Sequence, residues 1–175
     1  YSLRTLEAKQ SILQKPEFYR MESQQMALHS TSLNRVYLLR HAHSGMANPG
    51  QGDFDRTLDD RGYAEAEIVA DKAADKGYRP QVILCSTAVR CRQTSDAIRR
   101  SLPGEPEITF IDEMYNASEQ TYLDLISSQS ESQSVMLIGH NPTIADLLES
   151  LVGEDDFHSH LPSGFPTAGL AVLSC

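Results

Sequence analysis

Only three of the 175 residues are cysteine, Cys85, Cys91 and Cys175. So sparse and odd a set, with no C-x-x-C pair, argues against a disulfide framework and fits a reducing compartment. No run of about 18 apolar residues occurs, so nothing reads as a membrane-spanning helix. No signal-peptide pattern opens the chain, although Tyr1 is not a start methionine, and the expected location is cytoplasmic. Positive charge is scarce as well. Lys and Arg number 15 against 24 Asp and Glu, a net charge of −9. That argues against a nucleic-acid partner, because binding a phosphate backbone wants a basic footprint. Any anion site must then be a local basic pocket in an acidic body. Internal repeats and low-complexity tracts are missing too. What is present is an ordinary globular composition, 40% hydrophobic and 22% charged. At this length a single domain can bury roughly 70% of its unfolded surface without a metal or disulfide staple.

Residues 1–34 stand apart. They hold Gln10, Gln14, Gln24, Gln25 and several serines but no glycine. Leu3, Leu6, Ile12 and Leu13 make one weak helical stripe, which Pro16 interrupts. The segment reads as an N-terminal extension, native or artificial, or else as a docking helix. The domain itself is expected over 35–175. Apolar, β-branched runs predict strands at 35–40, 82–85, 108–111, 135–138 and 169–173. Helical spacing predicts helices at 63–76, 88–100, 119–127 and 143–151, with Gly77 closing the first and Ser118 capping the third. Strands alternating with helices describe an α/β fold. It is expected as a three-layer αβα sandwich on a mostly parallel sheet of about five or six strands.

Three strand ends are conspicuously polar. The first runs Arg40-His41-Ala42-His43-Ser44. The second runs Ser86-Thr87-Ala88-Val89-Arg90, and the fourth ends Gly139-His140-Asn141-Pro142. If these strands are parallel, their ends converge at one sheet edge, where ligands of open α/β sheets bind. Two guanidiniums there suit a tetrahedral dianion, since each offers a planar fork of donors. A histidine beside them is a nucleophile for phosphorus when its attacking nitrogen is unprotonated, with a backbone carbonyl fixing the tautomer at the other nitrogen. Gly139 allows close backbone approach before His140.

In this order, Arg40-His41, Ser86-Thr-x-x-Arg90-x-x-Gln93-Thr94 and Gly139-His140-Asn141-Pro142 resemble the histidine phosphatase superfamily, which includes cofactor-dependent phosphoglycerate mutase. The resemblance covers about residues 35–173. Ala42 stands where many members have glycine, as also in the SixA-type phosphohistidine phosphatase branch. Asp55-Arg56-x-Leu58-x-x-x-Gly62 and Phe165-Pro166-Thr167-Ala168 are similar to that branch too. The resemblance implies a phosphoglycerate mutase-like fold and a metal-independent phosphatase without a cofactor. By the same resemblance His41 is phosphorylated during turnover, and Arg40, Arg90 and His140 bind the phosphoryl oxygens, His140 as a cation.

Family members acting on phosphomonoesters protonate the departing alkoxide with a carboxylic acid. In some that is an aspartate directly after the second histidine, but here the position is Asn141. Glu113 is the nearest candidate for the glutamate that others carry after the third strand. A weak acid matters less for phosphohistidine, because imidazole, with a pKa near about 6.5, leaves readily once protonated. The expected partner is therefore a phosphohistidine protein. The alternatives are a small phosphorylated metabolite of sugar-phosphate type, with Glu113 as acid, and a non-catalytic phosphate-binding or scaffold module. The remaining residues read more plainly. His29 and His43 read as ordinary polar positions rather than catalysts, His43 being off-motif although near the pocket. His158 and His160 repeat the H-x-H spacing of His41 and His43, but adjacent arginines argue against a metal. Arg92, Arg99 and Arg100 form a solvated helix face. Cys85 is core, and Cys91 beside Arg90 is either core or a slightly activated thiol.

Overall fold

In a computed structural model, which describes residues 18–22, 33–129, 132 and 134–175, six strands form one sheet. They are β1 (Phe18–Glu22), β2 (Arg35–Arg40), β3 (Val82–Ser86), β4 (Glu107–Ile111), β5 (Ser134–Gly139) and β6 (Leu170–Ser174). Five helices accompany them: α1 (Asp60–Asp75), α2 (Val89–Ser101), α3 (Glu119–Ser127), α4 (Thr143–Val152) and α5 (Glu154–His160). The spatial order is β1-β6-β2-β5-β3-β4. Four neighbours, β2, β5, β3 and β4, are parallel, whereas β6 runs antiparallel to β2 and carries β1 parallel to itself.

Side chains alternate across a strand, so each buried strand feeds two cores. Val36, Leu38, Leu84, Val135 and Leu137 face one side, with Tyr122, Ile126, Leu147, Leu148 and Phe157 from α3, α4 and α5. Tyr37, Leu39, Ile83, Met136 and Ile138 face the other, with Ala66, Val69 and Ala70 of α1 and Ala97 and Ile98 of α2. This is the expected αβα sandwich. No helix among the described residues is long and apolar enough to cross a membrane.

Three elements differ from expectation. The first helix starts at Asp60, because the Asp59 carboxylate accepts from Gly62 N at 2.8 Å and caps it. Gly77 (φ 71°) ends it as read. Strand β1 falls inside the first 34 residues, where polar neighbours hide a short edge strand. Its Tyr19 and Met21 are buried. The stripe of Leu3, Leu6, Ile12 and Leu13 lies outside the described residues, as does His29. Helix α5 escaped notice because only Phe157 in Glu154–His160 is buried, which leaves no apolar period to detect.

Candidate active site

Parallel pairing levels the three strand ends. Arg40 sits opposite Gly139, and one row earlier Leu39 and Cys85 both flank Ile138. The next residues along the chain, His41 and His140, therefore stand side by side with ring centroids 5.3 Å apart. Arg90 joins them from the first turn of α2.

Each group is held by specific partners. His41 donates its backbone N–H to Gly139 O (3.1 Å) and accepts from Ala168 N (3.2 Å). Its ring Nδ1 lies 2.7 Å from Ala42 O. A carbonyl can only accept, so Nδ1 carries the proton, and Nε2 of the neutral ring keeps a lone pair. That lone pair accepts from Arg90 Nε at 3.3 Å. Burial, at 8% exposure, pushes the His41 pKa down to about 3, and the nearby His140, Arg90 and Arg40 push the same way against the Ala42 bond. The ring is thus neutral at physiological pH. Arg40 donates Nη1–H to Phe165 O at 2.8 Å, while its Nε is buried without a partner.

His140 places Nε2 2.8 Å from Ser86 Oγ, and its Nδ1 is buried and unpartnered. Burial first, then Arg90, lowers its pKa to about 4. Burial and the neighbouring guanidiniums thus oppose the positive charge that the resemblance implies for His140. Gly139 before it makes room for the Tyr122 ring. A Cβ there would lie 2.2 Å from Tyr122 Oη, and that hydroxyl donates to Met114 O (3.1 Å) and accepts from His140 N (3.4 Å).

A cavity of 390 Å³ opens over Arg40, His41, Arg90 and His140. Asp53, on a single 3₁₀ turn (Asp53–Asp55), supplies the one carboxylate among its described lining residues. Its backbone carbonyl and Oδ2 accept from Arg90 Nη1 (2.7 Å) and Nη2 (3.1 Å). Hydrogen bonds from Arg56 and Tyr115, followed by the charge of Arg90, hold its pKa at about 2. Asp53 is therefore ionised and orients Arg90 rather than donating a proton. The strand-end motifs do not single it out. The available signal was the Asp53–Arg56 spacing, which becomes an i,i+3 ion pair at 2.9 Å.

Glu113 is not brought to this cavity. It is exposed on the 3₁₀ turn Asp112–Met114, where Met114 is the buried member. Tyr115 reaches the site instead, its ring 5.6 Å from that of His140. His43 stands at the pocket, as its place beside the motif suggests. It lines the cavity, its Nδ1 is 2.7 Å from Asp59 Oδ2, and its N–H donates to Glu65 at 2.9 Å. Gly62 packs so close that a Cβ there would sit 1.8 Å from His43 O. The two H-x-H pairs do not assemble a four-histidine site, and His158 faces Glu154 at 3.9 Å. Cys91 is fully buried 3.5 Å from His140 Nε2, and burial raises its thiol pKa well above the ordinary value, which makes it core rather than an activated nucleophile. Cys85 is buried likewise and pushed up to about 12.

Known proteins are similar to this chain in sequence and, where solved, in structure. The sequence profile of the histidine phosphatase superfamily (branch 1) matches residues 36–118. A crystal structure of SixA from Agrobacterium tumefaciens is 60% identical and superimposes with a TM-score of 0.79 over 81% of this chain and 92% of that one. An uncharacterized protein of Mycobacterium tuberculosis is 31% identical over 140 residues, 77% of this chain and 85% of its own length. A chloroplastic protein of Arabidopsis thaliana is 34% identical over 123 residues, and the match spans only 56% of its length. A mycobacterial glucosyl-3-phosphoglycerate phosphatase, 16% identical with a TM-score of 0.57 over 81% of this chain and 91% of that one, shares the fold.

Proposed function

Because this chain belongs to branch 1 of the histidine phosphatase superfamily, we propose that it hydrolyses phosphoryl groups through a covalent phosphohistidine on His41, with phosphohistidine in a protein as its substrate. The observation that carries this is the His41 tautomer. With Nδ1–H given to the Ala42 carbonyl, Nε2 holds a lone pair at the floor of a cationic cavity. In the first step Nε2 attacks phosphorus, the bond from phosphorus to the substrate nitrogen breaks, and the leaving imidazole retains a proton. Arg40 and Arg90 bind the equatorial oxygens as the charge redistributes. In the second step water attacks the same phosphorus and the bond to Nε2 breaks. His41 returns to its Nδ1–H form, and phosphate departs with the protons of the water. The dianion also brings negative charge that favours a proton on His140, which then donates to it.

Substrate choice follows from the acid. Glu113 lies off the cavity, and Asp53 is held ionised, so a poor alkoxide leaving group finds no protonated carboxyl. An imidazole leaving group needs none. The Agrobacterium SixA, provisionally assigned as a phosphohistidine phosphatase, supports the same substrate. The sugar-phosphate alternative lacks its acid in this geometry, and a non-catalytic scaffold would not need so strict a tautomer at His41.

The test is a substrate panel. Wild type should turn over a phosphohistidine protein and a chromogenic aryl phosphate in EDTA, and both activities should vanish in His41→Ala. A strong preference for alkyl phosphates over phosphohistidine would overturn the substrate assignment. Loss of all activity on chelation would overturn the metal-free mechanism.

A further inference from the structure

A second cavity of 650 Å³ adjoins the first and shares Arg40, His43 and Thr167 with it. Its outer wall is formed by Tyr19 of β1, Arg61 at the start of α1, His160 at the end of α5 and the turn through Phe165. No Asp or Glu occurs among its described lining residues, although acids outnumber bases by nine in the chain. The nearby carboxylates stand behind the wall. Glu65 is buried and accepts from Arg61 Nε (2.8 Å) and from the His43 backbone, and Asp59 accepts from His43 Nδ1. These bonds fix Arg61 and His43 from the rear and leave the Arg61 Nη donors for the cavity. Tyr19 and Phe165, with ring centroids 6.4 Å apart, add an aromatic surface. Donors above an aromatic floor match an extended segment that carries carboxylates and at least one apolar side chain. The phosphoryl cavity alone would hold a small phosphorylated metabolite, whereas the larger neighbour needs a substrate that continues past the phosphorylated group.

We propose that this second cavity binds an acidic polypeptide segment flanking the phosphohistidine of the substrate protein. The proposal rests on the substrate assigned above and extends it to the surrounding sequence. Two peptides carrying a non-hydrolysable phosphonate analogue of phosphohistidine provide the test, one with Asp and Glu flanks and one with Ala and Gln flanks. Fluorescence anisotropy on the wild-type protein should give the acidic peptide about tenfold tighter binding, as expected for two partly exposed charge pairs. His160→Glu and Arg61→Gln, both outside the phosphoryl cavity, should each shrink that preference severalfold and leave vanadate affinity unchanged. His160 is exposed, so its variant avoids any disturbance of the buried Glu65. Equal affinities for the two peptides would overturn the proposal, as would variants that weaken both alike. Failure of the wild type to hydrolyse any phosphohistidine peptide would strike the substrate assignment instead. The flank preference is read from binding alone, so the two failures are distinct.

Discussion

His41 keeps its proton on Nδ1, where the Ala42 carbonyl accepts it, and burial with nearby guanidiniums keeps the ring neutral. At pH 6 an exposed imidazole, with a pKa near about 6.5, is mostly charged. The rings of His41 and His140 should still be neutral there, since their pKa values are pushed down to about 3 and about 4. Imidazole nitrogen shifts by NMR would show this, and titration of either ring near pH 6.5 would contradict it. Glu113→Gln makes the second prediction at this scale. An essential general acid is worth about 10²-fold or more, whereas an exposed carboxylate off the cavity should cost less than about tenfold on phosphohistidine and on aryl phosphate alike. A loss above about 10²-fold on either substrate would place Glu113 in the chemistry. The identities of Arg40, His41, Arg90 and His140 were legible from residue type and strand-end position. Asp53 was not, because what matters about it is a partner distant in sequence, Arg90.

At the scale of elements, the site depends on strand register. A slip of β5 against β2 by one residue would turn Val135 and Leu137 to the opposite face and carry His140 away from His41. Gly139 protects that placement. Gly139→Ala should push Tyr122 out of its bonds to Met114 and His140, with a cost of about 1–3 kcal/mol by overpacking. Chemical denaturation would measure the loss of stability, and kcat should fall with it as His140 shifts. An unchanged midpoint would mean that the Tyr122 ring gives way freely. Strands β2, β3 and β5 and the helices on them could be read from the sequence because each buries a continuous or periodic apolar face. The largely exposed β4 could be read from its apolar, β-branched run over 108–111. β1 and α5 could not, since each is short and buries only one or two side chains. The reversal of β6 was equally invisible, because the direction of a buried strand leaves no trace in its composition.

Over the whole molecule, the site imposes a pH dependence on folding. His41 and His140 have folded-state values below their unfolded values of about 6.5. As pH falls from about 6.5 toward 3, the unfolded chain binds protons that the folded site refuses. Stability therefore declines over that window, and it is fully present above it. His41→Phe should flatten the decline of Tm between pH 6.5 and 4.5 relative to wild type, as measured by scanning calorimetry. A parallel curve would show that His41 is not depressed. The reversed course of β6 has a different consequence. The turn before this strand, rather than after it, arrives at the edge where His41 and His140 stand, hung between α5 and β6. Leu161 is core, but the exposed residues 162–164 can be exchanged or lengthened without altering any strand that holds the nucleophile. A lineage or an engineer could retarget the protein by rewriting that short stretch and inherit the chemistry intact.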